Sequence, residues 1–385
     1  MQLLYLTADP GVPVFGHKGA SVHVRSLVSA LANRGASIVL ASPRLAPEGE
    51  RIEAPVVLAP IAPVLPKEHT DTRWLLDAVE RQAAEIVELA WANEVDAIYE
   101  RYSLFSVGGA RAARRLGVPH VLEVNAPLRD ESERFRVLPH PELAAALERE
   151  TFASADRILA VSETLAELLV ASGAERAKLA VVPNAVDPAL FAPALRCPDP
   201  AVFTVGFAGS LKPWHGVDVL IEACRRALPE VPELRLEVIG DGPERELVKE
   251  AERSLSSVRY RGRLSHGETV RSLASWDVGA APFRPLDHFY FSPLKLVEYM
   301  AAGACPVASD LPELRSLLGD GERGVLVEPG DAGALARVLV ELAHDAGRAA
   351  ALGRRAREHA LCALSWAENA RRVLDALRQP SRLVA

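Results

Sequence analysis

Phe291-Ser-Pro-Leu-Lys-Leu-Val-Glu-Tyr-Met-Ala-Ala-Gly303 places a lysine where a helix tolerates one poorly. Ser292 suits an N-cap and Pro293 the first helical position. Leu294, Val297, Met300 and Ala301 recur at helical spacing, and Gly303 supplies the stop. Lys295 therefore falls in the first turn, at the positive end of the helix dipole, where a cation costs about 0.3–1 kcal/mol. Glu298 follows three residues on, on the same side of the helix. An ammonium added to the amides of a helix N-terminus makes a phosphate site. The carboxylate beside it can accept hydroxyl hydrogen bonds, so a nucleoside diphosphate with its ribose would satisfy both groups. A solvated Lys–Glu pair at i,i+3 is the alternative, and this segment alone leaves both open.

Strand and helix signals alternate through the whole chain. Residues 3–7 read as a buried strand, followed by a loop with Gly11, Pro13, Gly16 and Gly19. A helix over about 21–34 comes next, its apolar face made by Val24, Leu27, Val28 and Leu31. A second start is read at 202–209, running into Ser210-Leu-Lys-Pro-Trp-His-Gly216 and a helix through Val219, Leu220 and Ala223. Strands at 234–239, 258–260, 278–282, 306–309 and 325–327 alternate with further helices, and Ser265-His-Gly-Glu268 matches a capping box. The pattern predicts an α/β chain with two Rossmann-like, doubly wound parallel sheets. The Pro-rich stretch 183–202 marks the boundary. The expected domains are 1–190, 191–364, and a C-terminal helix over 365–385 returning to the first. Such sheets bind ligands at the carboxyl ends of their strands, and with two of them the cleft between domains is the default site.

The chain has 385 residues, 49% of them hydrophobic and 25% charged, as expected of a folded two-domain protein. A net charge of −7 argues against a general nucleic-acid binder. The four cysteines show no metal-ligand spacing, which reads as a reduced compartment without a zinc site. No signal peptide or stretch of transmembrane length is read, so a cytoplasmic location is expected, with peripheral contact at the inner face of a membrane left open. Only six lysines occur, and Lys18, Lys212 and Lys295 fall at strand-to-helix junctions, where a flexible point charge can serve a phosphate.

Six motifs in order then resemble the retaining glycosyltransferases of family 4, with the GT-B architecture. They are Val181-Val-Pro-Asn-Ala-Val-Asp187 with Phe191 and Pro193, Phe207-Ala-Gly-Ser210, Val238-Ile-Gly-Asp-Gly-Pro243, the 292–303 helix, Pro306-Val-Ala-Ser309, and Gly324-Val-Leu-Val-Glu-Pro-Gly330. Each is weak singly, and their order and spacing over nearly the whole chain make the resemblance specific. It implies two Rossmann-like domains facing a cleft and transfer of a hexose-type sugar from a nucleotide-sugar donor to an acceptor hydroxyl. The acceptor would be a sugar, a lipid-linked molecule or a small metabolite. Neither cofactor nor metal is implied.

By the resemblance, Glu298 binds the ribose, while Lys295 and the backbone around Phe291, Ser292, Pro293 and Leu294 hold the diphosphate. Gly209, Ser210, Lys212 and His215 form the phosphate-side loop, and Arg263 borders the base. Gly16 and Gly19 correspond to the glycine loop that approaches the donor, although a tight turn would equally explain Gly16. His17, Lys18, Arg101, Glu123 and Asn125 face the acceptor. Family behaviour implies retention of configuration.

The chain also departs from the family pattern. Tyr290 stands where the first of two glutamates is usual, putting recognition of the transferred sugar in doubt. Ser210 and His215 replace two cations, and Asn125 replaces a histidine and cannot act as a base. Glu123 or a phosphate oxygen is left for that role. Trp214 is expected to pack beneath its loop, Asp156 and Ser162 to be structural, and Glu100 to pair with Arg101. A non-catalytic sugar-nucleotide-binding subunit and a nucleotide-sugar epimerase are the competing functions.

Overall fold

The computed structural model describes residues 1–16, 18–46, 50–66, 70–191, 198–285, 289–290 and 292–378. His17, Pro193, His288 and Phe291 lie outside the described residues.

The first unit contains Met1–Pro183, the short segment Tyr290–Ser292 and the C-terminal helix Trp366–Arg378. Its seven strands are β1 (Gln2–Thr7), β2 (Ser37–Ser42), β3 (Val56–Pro60), β4 (Ala97–Arg101), β5 (His120–Val124), β6 (Arg157–Ala160) and β7 (Leu179–Val181). They lie in the order β3-β2-β1-β4-β5-β6-β7, with every pairing parallel. Helices on both faces leave the central strands no water, and Leu3, Leu4, Tyr5 and Leu6 are accordingly all fully buried. Strand order reverses between β1 and β4, so the crevice at their carboxyl ends is where a ligand is expected.

The second unit contains Asn184–Phe289 and Pro293–Ser365. Its strands are β8 (Phe203–Ala208), β9 (Leu234–Ile239), β10 (Val258–Gly262), β11 (Val278–Ala281), β12 (Cys305–Ser309) and β13 (Val325–Val327). Their order, β10-β9-β8-β11-β12-β13, repeats the same reversal, here between β8 and β11. Both sheets are thus the doubly wound kind that the alternating signals require. A core of Val205, Phe207, Leu220, Leu236, Val238, Val307 and Leu339 fills one side of the second sheet.

Three boundaries differ from the sequence reading. The division falls at Pro183/Asn184 rather than 190/191, because Val186 donates its N–H to Leu364 O at 2.8 Å and forms a bridge with Ser365, tying this stretch into the second unit. The first helix spans Gly19–Asn33 and so begins before Ser21, with Lys18 at its N-cap. The lysine-bearing helix spans Leu294–Ala302 with Pro293 at the N-cap, so it begins one residue later than expected. Lys295 remains in the first turn. Among the described residues no helix is long and apolar enough to cross a membrane.

Candidate active site

Three tight loops at the carboxyl ends of β8, β9 and β11 interlock in the second unit. Gly240, with φ of 135°, lies so close beneath the β8 loop that a β-carbon there would meet Gly209 O at 1.8 Å. Gly216, with φ of 66°, closes the same loop against Pro282, whose carbonyl would lie 1.9 Å from an added β-carbon. These glycines are demanded by close backbone approach and by left-handed torsions. Tyr299 fixes the strand end from the helix Leu294–Ala302: its hydroxyl accepts from Ala208 N at 2.8 Å and donates to Ala208 O at 3.1 Å.

Lys295 points into this framework. Its Nζ is buried and, among the described residues, has no hydrogen-bond partner. It lies 4.3 Å from the centre of the Phe207 ring and 5.1 Å from that of Phe283, and a β-carbon on Gly209 would meet it at 3.0 Å. Two aromatic faces supply cation–π attraction but no counter-charge. Burial accordingly lowers the ammonium pKa to about 7.

His215 shares the same aromatic walls, its ring centre 5.3 Å from Phe283 and 6.4 Å from Phe207. Its Nδ1 bonds Ser210 O, and a carbonyl can only accept, so Nδ1 carries a proton. Burial first, then the Lys295 charge, lower the ring's pKa to about 3, against the opposing pull of that backbone bond. The resting ring is therefore neutral, with a lone pair on Nε2, and offers a phosphate oxygen no proton in this state. Lys212 lies 5.6 Å over the Trp214 ring. Trp214 is 38% exposed and does not pack beneath the loop as expected, because the short helix Pro213–His215 turns it outward.

Glu298 is buried, and its Oε1 lies 2.8 Å from His266 Nε2. His266 opens the helix His266–Leu273, whose predicted capping box of Ser265 and Glu268 is formed. The sequence carries no local signal for this contact, because the two residues lie 32 positions apart. Arg263 follows the end of β10 and is largely exposed, with Nη2 3.6 Å from Asp241.

The first unit carries its own polar cluster at the carboxyl ends of β1, β4 and β5. The register aligns Thr7 with Arg101 and Arg101 with Glu123, so their side chains emerge together on one face. Glu123 Oε1 meets His23 Nε2 in a buried contact, and its other oxygen lies 3.6 Å from Arg101 Nη1. Burial pushes the Glu123 pKa up, but His23, Arg101 and Asn125 together override it and hold it at about 2. A carboxylate so engaged is a weak proton acceptor, which weighs against the base role left open for Glu123. His23 escaped the sequence reading because it sits on a helix face that otherwise packs as core. Its ring stands edge-on to Trp366 at 4.7 Å.

Arg25 was missed for the same reason. It is buried in the first helix and donates from Nη1 to Val14 O and Gly16 O, both at 2.7 Å, so it clamps the glycine loop. Lys18 Nζ donates to Gly11 O at 3.3 Å. Gly19 has open space where a β-carbon would be, so nothing within this unit demands a glycine there.

One further expectation is overturned. Glu100 does not pair with Arg101: alternation along β4 sends it to the opposite face, where its Oε2 lies 3.0 Å from His120 Nε2. Tyr290 belongs to the first unit. It packs in the first unit with Tyr102, Leu122 and Phe152, its hydroxyl donates to Glu131, and its carbonyl accepts from Ser162 Oγ at 2.7 Å. Ser162 also caps the helix Glu163–Ala171 as expected, and Asp156 is structural, accepting from His120 N.

Known proteins share this architecture. The profile described as Glycosyltransferase Family 4 matches residues 17–190, and that described as Glycosyl transferases group 1 matches residues 202–345. A D-inositol 3-phosphate glycosyltransferase of Xylanimonas cellulosilytica is 30% identical, over 94% of this chain and 92% of that protein. One from Streptomyces avermitilis is 31% identical over 71% of this chain, a match spanning 64% of that relative's length. Among solved structures, Anabaena HepE in complex with UDP and glucose superposes with a TM-score of 0.71, covering 98% of this chain and all of that one at 20% identity.

Proposed function

Since the chain belongs to glycosyltransferase family 4, with the two Rossmann-like units of the GT-B fold, we propose that it is a retaining glycosyltransferase. It moves a hexose-type sugar from a nucleotide-sugar donor to an acceptor hydroxyl. One observation carries this reading: the buried ammonium of Lys295, without a hydrogen-bond partner among the described residues, held in the first turn of a helix at the switch point of the second sheet. A buried cation without a partner is costly to maintain unless an anion arrives to pair with it.

As the glycosidic bond breaks, negative charge accumulates on the leaving diphosphate. Lys295 and the positive end of its helix stabilise that charge where it develops. Glu298, oriented by His266, accepts from the ribose hydroxyls with the lone pairs its partner leaves free. Glu123 holds Arg101 in place on the acceptor side and does not take the proton. The acceptor's proton passes to a phosphate oxygen of the leaving group, and the new bond forms on the face that this group vacates. UDP in the HepE complex supports a nucleotide donor, and the inositol-phosphate relatives support a polyol acceptor hydroxyl. The reading assigns no metal.

A thermal-shift panel of UDP, GDP, ADP and their sugars, followed by product analysis with the best donor, tests this. Transfer to a polyol acceptor, undiminished by EDTA, is expected. Stabilisation by none of these nucleotides would overturn the reading. Tight binding with no transfer to any acceptor would favour a binding subunit, a role to which Asn125 in place of a base is suited.

A further inference from the structure

Among the described residues, the groups identified around Lys295 Nζ include none that neutralises an ammonium. Phe207 and Phe283 present ring faces. On the adjoining loop, Lys212 is a cation and His215 is turned by Ser210 O so that its proton lies on Nδ1. On the lysine's own helix, Glu298 is bonded to His266. On the β9 loop, Asp241 accepts from Gly242 N and lies near Arg263 and Arg245. Ser309 Oγ donates to Phe283 O at 2.6 Å, so the aromatic wall is braced from β12. Among the described residues the nitrogen is thus enclosed with no acceptor, the geometry in which an amine sheds its proton most readily.

We propose that this pocket is a proton-coupled receptor: it takes up a nucleoside diphosphate and a proton together, and the proton resides on Lys295 Nζ. The inference rests on the donor-site reading above and adds to it a pH control of affinity. The proton comes from the buffer, adds to the neutral amine and leaves with the product diphosphate. Each turnover therefore returns it to solvent. The lowered pKa of the empty site agrees with a lysine that is only partly charged near neutrality. An arriving diphosphate restores the charge by direct pairing. His215 remains neutral throughout, its Nε2 lone pair available to a ligand hydroxyl.

Isothermal titration of UDP, GDP and ADP at pH 8, in buffers of differing ionisation enthalpy, tests this. At that pH a terminal phosphate has already lost its last proton (pKa near 6), so any net uptake belongs to the protein. Uptake approaching one proton is expected, with affinity falling up to about tenfold per pH unit above the empty-site value. Lys295→Arg, which cannot deprotonate, should bind with no uptake and a flat profile. His215→Gln should keep the wild-type uptake. No uptake in the wild type overturns the proposal, as does uptake lost in His215→Gln but kept in Lys295→Arg. If Lys295→Arg does not fold, as circular dichroism would reveal, the wild-type and His215→Gln counts still decide. Failure of every nucleotide to bind overturns the donor-site reading itself, which is a separate result.

Discussion

His266 Nε2 lies 2.8 Å from Glu298 Oε1, so the carboxylate beside the candidate diphosphate site is positioned by a residue from another helix. The imidazole restrains the Glu298 rotamer and satisfies one of its oxygens. His266→Ala should therefore raise the KM for the nucleotide sugar about tenfold, a loss of some 1.4 kcal/mol, while kcat changes little. Glu298→Gln should cost more in kcat/KM, because it removes the charge as well as the acceptor. An unaltered KM in His266→Ala, measured by initial rates over a donor series, would show that the contact orients nothing.

Lys295 sets function against stability. Its proton is held to about 10.5 in the unfolded chain and to about 7 in the empty folded protein. Between those values the unfolded state binds more protons, so stability rises with pH across that window, and the full penalty is present below it. Lys295→Met should abolish turnover yet raise stability by on the order of 3 kcal/mol at pH 6, a gain that vanishes towards pH 10.5. Thermal melts of both proteins across this range check the sign. A variant less stable than the wild type at pH 6 contradicts it.

Glu123 carries the opposite dependence. Held at about 2 against an ordinary value of 4.5, its charge contributes stability above pH 4.5 that is lost as pH falls towards 2. Glu123→Gln should destabilise the protein by about 2–4 kcal/mol at pH 7, since His23 and Arg101 lose their shared partner. The deficit should shrink on acidification below pH 4.5, and urea unfolding at several pH values would reveal it. A deficit that stays constant down to pH 2.5 would locate the effect in packing instead.

Gly240→Ala tests the interlocked loops. The new β-carbon would lie 1.8 Å from Gly209 O, at a φ of 135° that side chains rarely adopt. The β8 loop must shift, and Lys295 rests against that loop. Nucleotide affinity should fall at least tenfold, with a stability loss of about 1–3 kcal/mol. Gly19→Ala is the internal control for folding: open space surrounds that position, so its melting temperature should match the wild type.

The architecture was legible because its signals are local. Alternation of buried strands with helices of one apolar face needs only the periods of the two structures. The first-turn position of Lys295 and the capping box at Ser265 likewise follow from spacing of a few residues. Helix ends were less legible. Ser292 and Pro293 promise a cap and a first residue, yet the chain turns helical only at Leu294. The motif position of Tyr290 gives no sign that its ring packs in a cluster with Tyr102 and Phe152 and that its hydroxyl donates to Glu131, contacts made by residues distant in sequence.

By itself, then, the sequence determined two doubly wound sheets, the glycines at their strand ends and a lysine at a helix N-terminus. Tertiary structure alone decided that this lysine is sealed between Phe207 and Phe283, that His266 holds Glu298, that His23 and Arg101 converge on Glu123, and that Arg25 clamps the glycine loop. The reason is physical. Helical and strand periodicity are properties of neighbouring residues. Burial, ion pairing and the proton affinities that follow from them depend on what sheet register and helix packing bring from distant parts of the chain.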